Sequence, residues 1–290
     1  MNKYVIYTDS TTDLSPALVE KAQLRVIPME FTIDGQNYKN YPDGREMDAH
    51  TFYDKVRAGS MPTTSLVNAE QYVSVFEPEL KAGLDVLFLC FSSGLSGSFN
   101  CAQLAAEELS AKYPDRKITA IDSLSASMGE GLLAYLAAME QQKGKSLDEV
   151  AQWVQDNRLH LVHWFTVDDL EHLRRGGRVS AAAAFFGGML NIKPVLHVDD
   201  EGHLIPVMKV RGRMASIDAM VAEMEKTAIE PQAQTVFISH GDSPEDVQTL
   251  ADKVRDTLHP KEIFINPIGP IIGAHSGPGT LALFFLGATR

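Results

Sequence analysis

Residues 86–98 read Val-Leu-Phe-Leu-Cys-Phe-Ser-Ser-Gly-Leu-Ser-Gly-Ser, a stretch that changes abruptly from apolar to hydroxyl-bearing side chains. The apolar part, Val86 to Phe91, shows no polar alternation, which is typical of a strand buried on both faces of a parallel sheet. Residues 98–112 are rich in Ala, Leu and Glu and predict a helix. A buried strand, a short loop and a helix in this order predict an α/β fold with the loop at the carboxyl end of the strand.

The same alternation extends from this stretch in both directions. Further strands are predicted at residues 3–8, 25–31, 118–122, 161–166 and 235–239. Further helices are predicted at residues 14–22, 69–81, 128–142, 147–157, 180–190, 217–227 and 244–258. Residues 194–198 and 204–211 flank an acidic turn and predict a pair of strands. We therefore predict two α/β lobes: a parallel-sheet N-terminal lobe over residues 1–160 and a smaller, mixed α/β C-terminal lobe over residues 161–290.

The composition limits the possible partners. The chain has 290 residues and a formal charge of −12, with 44% hydrophobic and 22% charged residues. This is ordinary for a globular protein, and the acidic balance disfavours nucleic acid and limits membrane contact to a transient one. Cys90 and Cys101 are too few for a disulfide framework. No apolar stretch is long enough to span a bilayer and no signal-peptide pattern is present, so we expect a cytoplasmic protein.

Two hydroxyl-rich stretches are the most informative chemical feature: Pro62-Thr63-Thr64-Ser65 and residues 92–98. Hydroxyls and backbone N–H groups beside a helix N-terminus favour an anion. Neither stretch contains an acid, a base or a strong nucleophile, so together they favour holding a ligand over breaking bonds. Taken alone, the first stretch is better explained as a helix cap, and it favours a binding site only in combination with the second stretch.

Two catalytic or nucleotide-binding motifs are absent on inspection. The nucleophile elbow of serine hydrolases, Gly-x-Ser-x-Gly, fails because Ser98 stands where the last glycine is required. Gly144-Lys145-Ser146 resembles the end of a P-loop, but Met139 occupies the position of its first glycine. We therefore predict neither chemistry from these stretches.

Basic residues cluster unexpectedly for an acidic chain. Arg174, Arg175 and Arg178 surround Gly176-Gly177, and Arg211 belongs to a second cluster with its basic neighbours. Such a segment favours contact with a phosphate or with a partner's acidic surface, and a solvated face with scattered ion pairs is an equal alternative.

The histidines do not show the spacing of metal ligands, so no metal is predicted. His275 differs from the others because it lies in a Gly/Pro-rich segment, residues 269–279, which we predict to be a loop opening onto a last helix. A histidine on such a loop is suited to orienting a carboxylate.

Taken together, these motifs resemble those of the DegV family of bacterial fatty-acid-binding proteins, and the resemblance spans nearly the whole chain. It rests on seven stretches in order: Asp9-Ser10-Thr11, Pro62-Thr63-Thr64-Ser65, residues 92–98, Ile121-Asp122-Ser123, Gly176-Gly177-Arg178-Val179, Lys209-Val210-Arg211 and residues 273–279. One departure exists: Leu66-Val67 follows the Thr-Thr-Ser stretch, where the family often has Gln-Pro.

The resemblance implies a long-chain fatty acid of the palmitate, stearate or oleate type between the two lobes, with no cofactor. Its carboxylate is expected at Thr64 and Ser96, with Thr63, Ser93 and His275 nearby. The resemblance also implies a separate fatty-acid kinase that phosphorylates the bound acid, and the arginine segment is then expected to face that kinase or the nascent phosphate.

We accordingly predict a binding subunit with no catalytic residues of its own. The main alternative is a serine hydrolase or acyltransferase that uses Ser96 and His275, which the incomplete elbow disfavours. A second alternative is an interaction module that binds a partner without a ligand. An apolar segment, residues 183–190, is a candidate wall of the fatty-acid tunnel and equally a plain core helix.

Overall fold

The computed structural model describes residues 3–179 and 191–290 of the chain. Its strands are, in chain order, β1 (Tyr4–Asp9), β2 (Arg25–Ile27), β3 (Glu30–Ile33), β4 (Gln36–Lys39), β5 (Thr63–Ser65), β6 (Asp85–Cys90), β7 (Ile118–Asp122), β8 (Leu161–Thr166), β9 (Ile192–Val198), β10 (Leu204–Arg211), β11 (Thr235–His240), β12 (Glu262–Pro267) and β13 (Leu281–Leu286). Its helices are α1 (Pro16–Ala22), α2 (Ala49–Arg57), α3 (Ala69–Lys81), α4 (Ser98–Lys112), α5 (Met128–Gln142), α6 (Leu147–Asn157), α7 (Glu171–Gly176), α8 (Arg213–Thr227), α9 (Pro244–Leu258) and α10 (Pro270–Ser276).

A parallel sheet with the order β2-β1-β6-β7 forms the first layer, and β6 is one of its two central strands. Every residue of β6 is buried. Leu87 and Leu89 pack into one hydrophobic cluster, and Val86, Phe88 and Cys90 pack into another on the opposite face. The unbroken apolar run is thus explained by helices that cover both faces of the sheet, which confirms the predicted parallel α/β layer.

A small antiparallel sheet with the order β4-β3-β5 lies beside it. Our single strand at residues 25–31 was wrong: the chain divides there at Pro28, between β2 in the parallel sheet and β3 in the small sheet. Residues 63–65 were predicted to be a loop or cap, and they form β5, where Phe31 pairs with Thr64. Three-residue strands have too little internal pattern to be found from sequence, because the pairing partner defines them.

A six-stranded mixed sheet with the order β10-β9-β8-β13-β11-β12 forms the other large layer. The paired strands β9 and β10 are confirmed. The loop predicted at residues 269–279 contains α10, which begins at Pro270, and the residues after it form strand β13 rather than a last helix. β13 is an apolar run flanked on both sides by antiparallel neighbours, and such a run cannot be assigned to helix or strand by periodicity alone.

Helix α5 joins the two large sheets, because it packs on β6 of the first and on β8, β11 and β13 of the second. Strands up to Asp122 belong to the first two sheets, and strands from Leu161 onward belong to the mixed sheet. The division into residues 1–160 and 161–290 stays a prediction. The helix and the tunnel wall predicted within residues 180–190 lie outside the described residues. None of the helices in the described part of the chain is long and apolar enough to cross a membrane.

Candidate ligand-binding site

A cavity of about 210 Å³ lies between the two large sheets. Its wall combines β5, the loop after β6, helix α10 and the strands β8 and β13. Most of the wall is apolar, as illustrated by Phe91, Leu95, Leu173, Ile271 and Phe284. A few polar side chains converge on this apolar space, and that combination is typical of a small-molecule site.

Thr64 and His275 form the polar contact that spans this cavity wall. The Thr64 Oγ1 and His275 Nε2 atoms are 2.8 Å apart, and they join β5 to the last turn of α10. Gly176 makes this placement possible, because a Cβ there would lie 2.4 Å from His275 Nδ1. Burial, and secondly the positive charge of Arg178, lowers the pKa of His275 to about 4, so the imidazole is neutral at pH 7.

The neutrality of His275 decides what Thr64 can offer a ligand. When Nε2 carries the imidazole proton and donates to Thr64 Oγ1, the threonine hydroxyl keeps its own proton for another acceptor. An anion beside Thr64 favours this tautomer, because it accepts that proton. His275 is therefore placed to orient the Thr64 hydroxyl.

The loop after β6 contributes Ser96 to the cavity wall. Ser96 Oγ lies 3.0 Å from Ser98 Oγ and accepts from the backbone N–H of Ser98 at 3.2 Å. Ser92 fastens the loop to the other large layer, because its hydroxyl donates to the carbonyl oxygen of Gly202 at 2.9 Å. Gly94 allows this approach, since a Cβ there would lie 2.8 Å from the carbonyl oxygen of Glu201. The two hydroxyl-rich stretches thus meet at one cavity.

The other two predicted head-group residues are placed differently. Thr63 and Ser93 are exposed, and neither is among the described residues that line the cavity. The backbone N–H of Ser93 donates to Asp122 at 3.1 Å, which holds the loop to the end of β7. Their contact with a ligand stays a prediction, as does that of Thr64, Ser96 and His275.

Of the four predicted arginines, Arg178 reaches the cavity wall. Its guanidinium donates to the carbonyl oxygens of Leu95, at 3.2 Å, and of Gly176. Arg174 is exposed and pairs with Glu171, and Arg175 is exposed with its Nη2 atom 3.1 Å from His172 Nδ1. Arg211 is exposed at the end of β10. The role of this set towards a phosphate or a partner stays a prediction.

Ser96 and His275 do not form a nucleophile–base pair. His275 Nε2 bonds to Thr64, and the Ser96 hydroxyl pairs with Ser98. Within the described residues, no carboxylate hydrogen-bonds to His275 to orient it. The arrangement therefore lacks the contacts that activate a serine.

A buried polar cluster lies behind the cavity and holds its framework. The Thr11 hydroxyl lies 2.5 Å from Asp9 Oδ1 and 2.6 Å from Glu130 Oε2. The Thr11 hydroxyl can donate its single proton to only one of these carboxyl groups. The other carboxyl group must therefore be protonated and donate to the Thr11 oxygen. Burial raises the pKa of both carboxyls, and that of Glu130 well above its usual range. Backbone N–H groups of Thr11 and Phe91 donate to Asp9 and oppose the rise of its pKa, so Glu130 is the partner that holds the proton. Asp9 also accepts from the backbone N–H of Phe91, which fixes the end of β6 at the cavity.

Sequence reasoning missed four polar side chains of the cavity wall: Ser127, His163, Ser276 and Thr280. The Ser127 hydroxyl donates to Asp13 Oδ2 at 2.6 Å, and burial raises the pKa of Asp13 to about 8. His163 bonds at its two ring nitrogens to the Leu161 carbonyl and the Ala126 N–H, and burial holds its pKa well below the usual value. One signal was readable: His163 is the polar interruption in a strand-like apolar run.

Comparison with known proteins gives consistent matches along the whole chain. A family model described as "Uncharacterised protein, DegV family" matches residues 3–288. The DegV domain-containing protein CPE0026 of Clostridium perfringens is 45% identical over 290 residues, which cover 100% of this chain and 99% of that protein.

Two solved structures share the fold. A fatty-acid-binding DegV family protein from Thermus thermophilus is 30% identical, with a TM-score of 0.89 over 99% of this chain and 100% of the other. DegV from Bacillus subtilis, described as a fatty acid binding protein, is 27% identical, with a TM-score of 0.85 over 98% of this chain and 99% of the other.

Proposed function

The chain belongs to the DegV family, and from this premise we propose that it binds a long-chain fatty acid in the cavity between its two large sheets. The carboxylate would lie at Thr64 and Ser96, with His275 behind Thr64. The observation that carries this proposal is the cavity itself, which is apolar along most of its wall and has the hydroxyls of Thr64 and Ser96 and the neutral His275 among its polar groups.

Burial of the acyl chain supplies the affinity. Removing the ~14 methylenes of a palmitate-length chain from water contributes on the order of 11 kcal/mol, at ~0.8 kcal/mol each. Lost translational freedom and chain ordering reduce this considerably. The apolar wall can therefore hold the ligand without any strong charge pair, and the polar groups serve to orient it.

The head-group contacts fit an ionised acid. Hydrogen bonds from neutral hydroxyls to a carboxylate are charge-assisted and roughly twice as strong as those between neutral groups. Thr64 donates when His275 donates to it, and Ser96 adds a second hydroxyl from the loop after β6. Arg178 adds a positive charge nearby, which favours an anionic ligand.

We further propose that the bound carboxylate is presented to a separate fatty-acid kinase, which would make the acyl phosphate. The support is the basic surface next to the site: Arg174 and Arg175 are exposed on α7, directly before Arg178 in the cavity wall. Helix α7 packs on α10, so this basic surface adjoins the head-group residues. A phosphate or an acidic partner surface matches arginine in charge and geometry.

Solvent extraction of the purified protein followed by mass spectrometry tests the binding proposal. We expect a co-purified C16 to C18 fatty acid, and rebinding of palmitate or oleate after its removal. Thr64→Ala combined with Ser96→Ala should weaken retention by at least tenfold without loss of the folded state, because two charge-assisted hydrogen bonds are removed. Unchanged retention in the double variant would exclude these residues from the site, and absence of any fatty-acid binding by the unaltered protein would refute the function.

A further inference from the structure

Helix α10 presents two neighbouring polar side chains to the cavity. Ile271 and Ile272 line the cavity one turn before His275 and Ser276, which line it as well. Residues four apart lie on the same face of a helix, so both pairs follow the cavity wall. Ser276 directly follows His275, with Cα atoms about 3.8 Å apart, so it lies near the point where Thr64 meets the imidazole.

The Ser276 hydroxyl differs from its polar neighbours because it has no hydrogen-bond partner in the part of the chain that the structure describes. Ser276 is 6% exposed, and across residues 3–179 and 191–290 its Oγ atom has no hydrogen-bond partner. The hydroxyl of Thr280, also in the wall, donates to backbone carbonyls at 2.9 and 3.1 Å, and that of Ser127 donates to Asp13. Since a buried hydroxyl without a partner destabilises a protein, its partner is expected to be the ligand.

We propose that Ser276 donates a hydrogen bond to the carboxylate of the ligand and makes the site selective for ionised acids over uncharged acyl chains. This inference rests on the proposed fatty-acid function. A carboxylate offers about four acceptor positions, so it can accept from Thr64, Ser96 and Ser276 at once. The hydroxyl group of a fatty alcohol forms weaker, neutral hydrogen bonds and has a proton of its own to place.

Ser276→Ala tests the proposal with a signature that a purely structural serine would not give. In the delipidated protein the thermal midpoint should stay the same or rise, because an unsatisfied group has been removed. Affinity for palmitate should fall about 10- to 100-fold, the range expected for one hydrogen bond to a charged acceptor. Affinity for 1-hexadecanol should change by less than about threefold, since its hydrogen bond is neutral.

Ser216→Ala is the matched control. Ser216 is buried in α8 with its hydroxyl donating to the Arg213 carbonyl at 2.7 Å, and it is not among the described cavity residues. This variant should lower the thermal midpoint and leave the palmitate affinity unchanged.

Three results would overturn the inference while wild-type protein still binds palmitate. They are an unchanged palmitate affinity in Ser276→Ala, an equal loss for palmitate and hexadecanol, and a lowered midpoint of the ligand-free variant. Failure of the wild-type protein to bind palmitate would overturn the proposed function itself, which keeps the two conclusions separable.

Discussion

Replacement of Asp13 by asparagine should make the protein more stable, and increasingly so as the pH rises. Asp13 is 6% exposed and accepts from the Ser127 hydroxyl and from the backbone N–H of Gly269, at 2.6 and 2.8 Å. Burial raises its pKa from 3.8 to about 8, and the nearby charge of Asp9 adds to the increase. In the folded protein Asp13 therefore holds a proton at neutral pH, and in the unfolded chain it does not.

The size of the effect follows from this difference in pKa. An acid whose pKa is higher in the folded state contributes stability that is complete below its unfolded pKa of 3.8 and is lost as the pH rises through about 8. At about 1.4 kcal/mol per pH unit, Asp13 alone lowers the free energy of unfolding by on the order of 5 kcal/mol between pH 4 and pH 8. Asparagine does not titrate, and it preserves both contacts, because its oxygen can accept from Gly269 and its NH₂ can donate to Ser127.

Urea unfolding at pH 5, 6, 7 and 8, followed by circular dichroism, measures this difference. The free energy of unfolding of Asp13→Asn should exceed that of the wild type by a difference that grows by up to about 1.4 kcal/mol for each pH unit. Asp256→Asn, an exposed substitution on α9, should follow the wild-type pH dependence and serves as the control. Parallel pH dependences for wild type and Asp13→Asn would show that Asp13 is ionised in the folded protein, and the reasoning would fail.

Two further predictions address the acid cluster and the basic surface. Glu130→Gln should cost less than about 1 kcal/mol, because a protonated Glu130 and a glutamine make the same contacts with Thr8 and Thr11. Glu130→Ala should cost about 3–5 kcal/mol, because it leaves a cavity and the Thr8 hydroxyl without its partner, while Thr11 keeps its bond to Asp9. Equal losses in thermal or urea unfolding would mean that the carboxylate itself is required. Arg175→Glu should reduce acyl phosphate formation by the cognate kinase at least tenfold and leave palmitate retention unchanged, because Arg175 is exposed and Arg178, not Arg175, lines the cavity. Normal acyl phosphate formation by that variant would exclude Arg175 from the kinase contact.

The parts of the fold that sequence could predict are those where the local pattern and the tertiary environment agree. Residues 86–91 are apolar throughout because helices cover both faces of the sheet. The apolar run alone therefore predicts a central parallel strand. Strand β13 is equally apolar, but the sequence predicts a helix there, because a short buried run has no period that separates helix from strand. The sequence predicts a loop at β5, because its three residues are ordered only by pairing with β3.

The residues of the candidate site also fall into those that the sequence predicts and those that only the structure reveals. Thr64, Ser96 and His275 stand in hydroxyl- or glycine-rich segments, whose composition is unusual enough to be noticed. Ser276 lies in the same glycine-rich segment as His275, but only the three-dimensional structure shows that Ser276, Ser127 and His163 belong to the cavity wall. The buried Ser276 hydroxyl has no hydrogen-bond partner within the described part of the chain. This is a property of the packing, and the sequence alone cannot predict it.

The protonation state of Asp13 affects both the stability of the fold and the electrostatics of the proposed ligand site. Ser127 belongs to the cavity wall, and its hydroxyl donates to Asp13, so Asp13 lies directly behind that wall. An ionised Asp13 in this buried position would repel an anion in the cavity. Because burial keeps Asp13 protonated near neutral pH, an anionic ligand would meet hydroxyl groups and Arg178 instead of a second negative charge. The proton that stabilises the fold is therefore also the one that makes the cavity acceptable to an anion.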